Sequence, residues 1–142
     1  MDMFQVAKVR GMMDAPRVAT EQGRTSYLSF ISKAAVSAPS EYRDRNAIFQ
    51  HELVLQRDEV NLGTAVELPS GLVAPVIRHA QGLTAEQIAD AIAQVAERAR
   101  ARQFVRDGLR ASTFTISNPS SLGAVSAPTI INQPQVPFSL CP

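Results

Sequence analysis

With a single cysteine, Cys141, the chain can form no internal disulfide and can build no multi-cysteine metal site. The two histidines, His51 and His79, have neither an i+4 histidine nor a neighbouring cysteine, so no metal is expected. Neither sign of charge dominates: 14 Lys and Arg against 13 Asp and Glu leave a formal net charge of +1, far from the basic excess of a nucleic-acid binder. The seven glycines are scattered, which excludes a GxGxxG nucleotide loop. No apolar run is long enough to span a bilayer, and no cationic-then-apolar signal opens the chain. What is present is 142 residues, 45% of them hydrophobic, enough to bury the core of one ordinary domain.

Apolar periodicity divides the chain into helices and strands. Val6, Val9 and Met13 recur at helical spacing over residues 2–14, with Asp2 as the cap, Gly11 as a weak point and Pro16 as the expected stop. A second helix is predicted over 25–37, with Leu28, Ile31 and Ala35 on one face and Pro39 closing it. Residues 40–45 read as a loop. Strands are predicted over 52–56, 60–68 and 72–78, the last two folding back around Pro69 in a Leu-Pro-Ser-Gly turn. Pro75 lacks an N–H, so its strand is an edge or carries a bulge. Over 84–103 the capping box Thr84-Ala85-Glu86-Gln87 opens a helix whose apolar face is Ile88, Ile92, Val95 and Ala99. The arginines of 98–110 fall near its end, where cations complement the helix dipole. Gly108 breaks the run. The predicted order is an α/β two-layer sandwich, one mixed sheet with helices packed on it, with no internal repeat or domain boundary.

Residues 113–135 carry the candidate chemistry. In Thr113-Phe114-Thr115-Ile116-Ser117 the period of two puts Phe114 and Ile116 on one face and three hydroxyls on the other. Such a row could line a polar site, although threonine is a good strand former and hydroxyl rows usually face water. Either histidine could act as a base toward Ser117, but isolated histidines are more often surface or hydrogen-bonded structure. Glu67 by itself is an ordinary turn acid, Ser26 a helix N-terminal hydroxyl and Arg10 an exposed helix arginine.

Taken together, the motifs resemble one family. Residues 60–78, VNLGTAVELPSGLVAPVIR, are followed by the capped helix, then by TFTISN at 113–118 and IINQPQ at 130–135. In order and separation this is similar to the catalytic domain of dihydrolipoamide acyltransferase subunits of 2-oxo acid dehydrogenase complexes. The resemblance implies a chloramphenicol acetyltransferase-like fold, trimers with active sites between neighbouring subunits, and acyl transfer between dihydrolipoamide, carried on a partner lipoyl domain, and coenzyme A. Carried over by position, Ser117 would hydrogen-bond the tetrahedral oxyanion. Arg10, Ser26, Glu67, Asn118 and Ser121 would contact coenzyme A, with Arg10 suited to a phosphate.

The departures are equally specific. The family's general base lies in a His-x-x-x-Asp-Gly segment that these 142 residues do not contain. The usual Ala-Ile-Leu-Gly after Gln135-Val136 is replaced by Pro-Phe-Ser-Leu-Cys-Pro. Ala111 and Ser112 stand for glycines, Pro119-Ser120 replaces a glycine-bearing turn, and Ala127-Pro128-Thr129 departs from the usual Thr-Pro. The expectation is a C-terminally truncated catalytic domain over 1–136 with an unstructured tail over 137–142, folded but inactive alone. The alternatives are a non-enzymatic oligomerisation or scaffold module of such a complex, or a domain completed by a histidine from another chain. Partners would be further copies in a trimer or larger core, with lipoyl domains and complex subunits, and no nucleic acid or membrane. The alanine- and arginine-rich composition points to bacterial cytoplasm, with the mitochondrial matrix as the alternative.

Overall fold

The computed structural model describes residues 2–19, 25–40, 42, 46–103, 112–118 and 135. Helix α1 spans Met3–Ala19, α2 Tyr27–Ser37 and α3 Ala85–Arg100. The strands are β1 Ala47–Gln50, β2 Leu53–Gln56, β3 Leu62–Thr64, β4 Val66–Leu68, β5 Gly71–Val73, β6 Val76–Ile77 and β7 Phe114–Ile116. At the centre is a mixed sheet of order β6-β3-β7, in which β3 runs antiparallel to β6 and parallel to β7. β1 with β2 and β4 with β5 form two further, two-stranded antiparallel sheets, so the helices and mixed strands agree with the expected α/β class while the described strands divide among three small sheets.

The core lies between this sheet and α2 and α3. Leu62, Ile77, Phe114 and Ile116 from the strands meet Ala35 and Val36 of α2 and Ile88 of α3, with Leu28, Ile92 and Val95 packed at the margin. Burying a side chain such as Ile88, which is 0% exposed, stabilises the fold by roughly 1.5–3 kcal/mol. Phe114 and Ile116 therefore take the face that strand alternation assigns them. A smaller cluster of Val66, Leu68 and Ala99 ties β4 to the far end of α3.

The capping box forms as expected: the Gln87 amide N–H donates to Thr84 Oγ1 and the Thr84 N–H to Gln87 Oε1. The helix ends at Arg100, three residues before the predicted boundary, and Arg102 turns into the left-handed region at φ 56°. The hairpin around Pro69 also forms, with Leu68 opposite Gly71 and Glu67 opposite Leu72. Each of its arms is interrupted. Ala65 separates β3 from β4, where its N–H reaches across to Ile116 O, and Ala74-Pro75 separates β5 from β6. Proline lacks the ladder donor, but its carbonyl still accepts from Thr64 N–H at 3.0 Å.

One predicted boundary fails and one strand lies outside the predicted elements. Pro16 does not stop α1, which continues to Ala19. Proline forfeits one helical hydrogen bond, and the turn beyond it is held from outside: the buried Arg17 guanidinium is bonded by both its Nη atoms to the Asp90 carboxylate on α3. Nor is the α1 stripe a core face, since Val9 is 45% exposed and Val6 and Met13 are only half-buried. The second finding is β1, a strand outside the predicted elements. It pairs with β2 through a two-residue turn at His51 and Glu52, both left-handed at φ 50° and 63°. That conformation suits a two-residue hairpin, though it normally selects Asn-Gly or Asp-Gly. The IINQPQ motif at 130–135, the break at Gly108 and the tail after 136 lie outside the described residues, Gln135 excepted.

Candidate functional site

Strand β7 separates its hydroxyls by role. Thr113 is buried; its Oγ1 accepts from Asn61 N–H at 3.0 Å and donates to Glu59 O at 3.4 Å. Thr115 Oγ1 donates to Gln135 Oε1 at 2.8 Å. Thr113 thus ties the start of β7 to the segment leading into β3, and Thr115 ties β7 to Gln135. Ser117, just past the end of the strand, is exposed, and no described hydrogen bond engages its hydroxyl. The row that could have lined a site is a structural seam with one hydroxyl left at its open end.

The same face carries Glu67. Gly63 pairs with Thr115, and a Cβ built on Gly63 would stand 2.7 Å from Thr115 Oγ1, so the two share the face opposite the helices. Burial alternates onward from there, with Thr64, Val66 and Leu68 buried and Glu67 exposed. Register puts Thr64 beside Ile116, so Ser117 comes level with Ala65 and Glu67 follows two residues on. Asn118 is exposed next to Ser117 and has an interaction of its own. Ser121 lies outside the described residues.

Arg10 and Ser26 meet at a different place, the joint of α1 and α2. The Arg10 guanidinium lies 4.2 Å from the centroid of the Tyr27 ring, and its Nε is 3.9 Å from Asp14 Oδ2. Asp14 also accepts from the Thr25 N–H at 2.7 Å and from the Thr25 hydroxyl. Ser26 is the N-cap of α2; its Oγ accepts from Ser29 N–H at 3.3 Å, which leaves the hydroxyl proton able to donate elsewhere. A guanidinium over an aromatic ring beside a helix N-terminus suits an anion. Among the described contacts none joins this pair to Glu67, Ser117 and Asn118, so the predicted residues fall into two groups.

Neither histidine reaches Ser117 among the described contacts. His51 occupies the β1–β2 turn, and exposed His79 has its Nδ1 3.8 Å from Glu59 Oε2. A cleft of about 520 Å³, bordered by Val36, Pro39, Arg57, Asp58 and Gln81, contains none of the predicted site residues. No group of three or more His, Cys, Asp or Glu able to hold a metal ion occurs among the described residues. Nor, among them, is any helix long and apolar enough to cross a membrane. Arg17, paired with Asp90, has its guanidinium held above its ordinary pKa chiefly by that hydrogen bond, against the opposing effect of burial.

The sequence reading missed three contributors. Tyr27 and Asp14 frame Arg10, and the signal available was only their spacing from it. Gln135 was visible as the end of the Asn-Gln-Pro-Gln motif, but its partners lie some twenty residues away in sequence and could not be read.

Residues 1–139 match the family described as 2-oxoacid dehydrogenases acyltransferase (catalytic domain). The chain is 36% identical over 136 residues to the dihydrolipoyllysine-residue acetyltransferase component of the pyruvate dehydrogenase complex of Corynebacterium glutamicum, covering 94% of this chain and 20% of that protein. Among solved structures, the dihydrolipoamide acetyltransferase of Azotobacter vinelandii aligns with a TM-score of 0.86 and 27% identity, over 93% of this chain and 55% of that one. The cubic core of the pyruvate dehydrogenase multienzyme complex aligns with a TM-score of 0.84 and 29% identity, over the same shares. The chain thus spans about half the length of these solved chains and about a fifth of the Corynebacterium relative.

Proposed function

This chain belongs to the family of 2-oxoacid dehydrogenase acyltransferase catalytic domains, and on that footing we propose that it contributes part of a site moving an acyl group between dihydrolipoamide and coenzyme A. The observation that carries the reading is the exposed Ser117, the one hydroxyl of its row that no described hydrogen bond engages. In acyl transfer a thiol attacks the acyl carbonyl, and the oxygen becomes an anion in the tetrahedral intermediate. Ser117 donates a hydrogen bond to that oxygen. Because the charge exists only during reaction, such a donor contributes about 2.7–4 kcal/mol to the transition state.

Coenzyme A carries both phosphates and a thiol. Arg10, over the ring of Tyr27, and the Ser26 hydroxyl at the start of α2 suit a phosphate. In this reading Glu67, Asn118 and Ser121 complete the contacts. No metal takes part. The lipoyl group arrives on a partner domain.

The attacking thiol must lose its proton, and at a pKa of roughly 8.5 it is only slightly ionised near neutrality. General-base assistance contributes about 10²–10⁴ in rate. The 142 residues contain no His-x-x-x-Asp-Gly, and a histidine is among the residues investigated in the catalytic mechanism of the Azotobacter relative. The base of this site therefore lies outside residues 1–142, and those residues by themselves bind coenzyme A without turning over. Association is supported by the apolar residues left uncovered on α1 and the β1–β2 hairpin, among them Phe4 at 78%, Met12 at 64% and Leu53 at 61%. They suit packing into a trimer or larger core such as the cubic one of the aligned complex.

The test is acyl transfer from acetyl-CoA to dihydrolipoamide by the purified chain, alone and after co-assembly with a subunit that carries the histidine segment. Transfer is expected only in the second case. Turnover by the chain alone that disappears in Ser117→Ala would overturn the inactive part. The scaffold reading gains if a stable trimer sediments but binds no coenzyme A.

A further inference from the structure

Gln135 sits where a glutamine has no obvious need to be buried. It is 8% exposed, its backbone forms an antiparallel bridge with Ile48, and its side chain points at β7. Both ends of its amide are directed there. Oε1 accepts from Thr115 Oγ1 at 2.8 Å, while Nε2 donates to Ser112 O at 3.0 Å and to Ser112 Oγ at 2.5 Å. One side chain thus ties Ser112, ahead of β7, to Thr115 in the middle of the strand. A buried amide with its donor and acceptor both used is costly to disturb and rigidifies what it holds.

From the other side Gly63 removes the remaining freedom. Thr115 Oγ1 would lie 2.7 Å from any Cβ at position 63, so the threonine is pressed into the space that glycine leaves. As a β-branched residue it has few rotamers to begin with. Thr115 is therefore fixed by β3 below and by Gln135 above. The next residue on the same face is Ser117.

We infer that Gln135 is a positioning residue for Ser117: by clamping Ser112 and Thr115 it sets the direction in which the free hydroxyl leaves the end of β7. The inference rests on the acyltransferase reading only for what Ser117 does, not for how it is held. An oxyanion donor must stand about 2.7–3.1 Å from where the charged oxygen will be, so its anchorage matters to rate more than to ground-state binding. Gln135 does not itself touch the reacting atoms.

Two readouts separate the placement of Ser117 from its use. The first is the pair of Ser117 amide and Cβ resonances in the isotopically labelled full chain. Gln135→Leu and Thr115→Val should both displace them, the double variant should displace them no further than either single one, and Thr115→Ser, which keeps the hydroxyl, should restore them. Asp90→Ala, which breaks the Arg17 pair between α1 and α3 and lies outside the core cluster of β7, serves as the control for general destabilisation and should leave them in place. If Gln135→Leu is too poorly folded to read, Gln135→Glu and Thr115→Val carry the comparison. Unmoved Ser117 resonances in these variants overturn the inference, as do shifts of equal size in Asp90→Ala.

The second readout is transfer in the co-assembled enzyme, where Gln135→Leu should lower kcat by about tenfold or more while KM for coenzyme A stays the same. In a Ser117→Ala background the same substitution should have no further effect. An undiminished second effect means that Gln135 acts independently of Ser117 and overturns the inference. A Ser117→Ala variant as active as the parent would instead sink the acyltransferase reading, with the resonances still deciding the placement.

Discussion

Gly63 and Thr115 lie opposite each other on adjacent parallel strands with no room for a methyl group between them: the site of a Cβ on Gly63 is 2.7 Å from Thr115 Oγ1 and 3.3 Å from Ser112 Cβ. Neither neighbour can give way freely. Thr115 is hydrogen-bonded to Gln135, and Ser112 is bonded to the same side chain. Gly63→Ala is therefore expected to destabilise the chain by about 1–3 kcal/mol, the usual cost of overpacking a close approach. Urea unfolding followed by circular dichroism measures it, and an unchanged midpoint would contradict the contact.

Asp90 holds the end of α1 through Arg17. The arginine side chain is only 8% exposed, whereas that of the aspartate is 48% exposed. Asp90→Ala leaves a buried guanidinium without this partner, yet water already reaches the carboxylate side and screens the pair. The expected loss is roughly 1–2 kcal/mol, between the values for exposed and for buried pairs. The pH dependence has a definite sign. A base whose folded pKa is raised contributes stability below its unfolded pKa and loses it only as pH rises through the folded value. For arginine that window lies beyond the accessible range, so Arg17's own titration leaves the loss the same at about pH 6 and about pH 9. Chemical denaturation at both conditions checks the size and its constancy.

The Arg10 guanidinium lies over the ring of Tyr27, and lysine cannot reproduce its planar fork. If Arg10 binds a coenzyme A phosphate, Arg10→Lys should weaken binding by about 1–2 kcal/mol, roughly five- to thirtyfold in Kd. Titration calorimetry reads this directly, and the melting temperature should scarcely move. An unaltered Kd would remove Arg10 from the site.

What could be read from the sequence was whatever is local. The Thr84/Gln87 capping box and the Leu68–Gly71 hairpin are written in residues three or fewer apart, and both form as expected. Phe114 and Ile116 declared their face by alternation. Pro16 misled because the turn beyond it is held by the pair of Arg17 with Asp90, seventy-three residues further on in α3. The β1–β2 hairpin stayed hidden because His51-Glu52 is not a turn signal that left-handed geometry would normally select. Val9 showed that helical spacing identifies a stripe and not what covers it, since that stripe faces outward here.

The candidate site divides along the same line. Motif order identified the family and the exposed Ser117, which the fold then leaves at the open end of β7. Period alone could not say that Thr113 and Thr115 are tied to Asn61 and Gln135, because both partners come from other parts of the chain. Arg10 and Ser26 were legible as a pair only through the family, and the α1–α2 joint supplies the physical link between them through Asp14, Thr25 and Tyr27.

The most direct test of the central claim is acetyl transfer in a mixed assembly that depends on Ser117 of this chain. The partner subunit keeps its histidine segment and has its own oxyanion serine changed to alanine, so that only sites built from both chains can work. With wild-type chain such an assembly should transfer acetyl groups, and Ser117→Ala should lower kcat by about 10²–10³ with KM for coenzyme A unchanged. Equal kcat for the two assemblies would contradict the account.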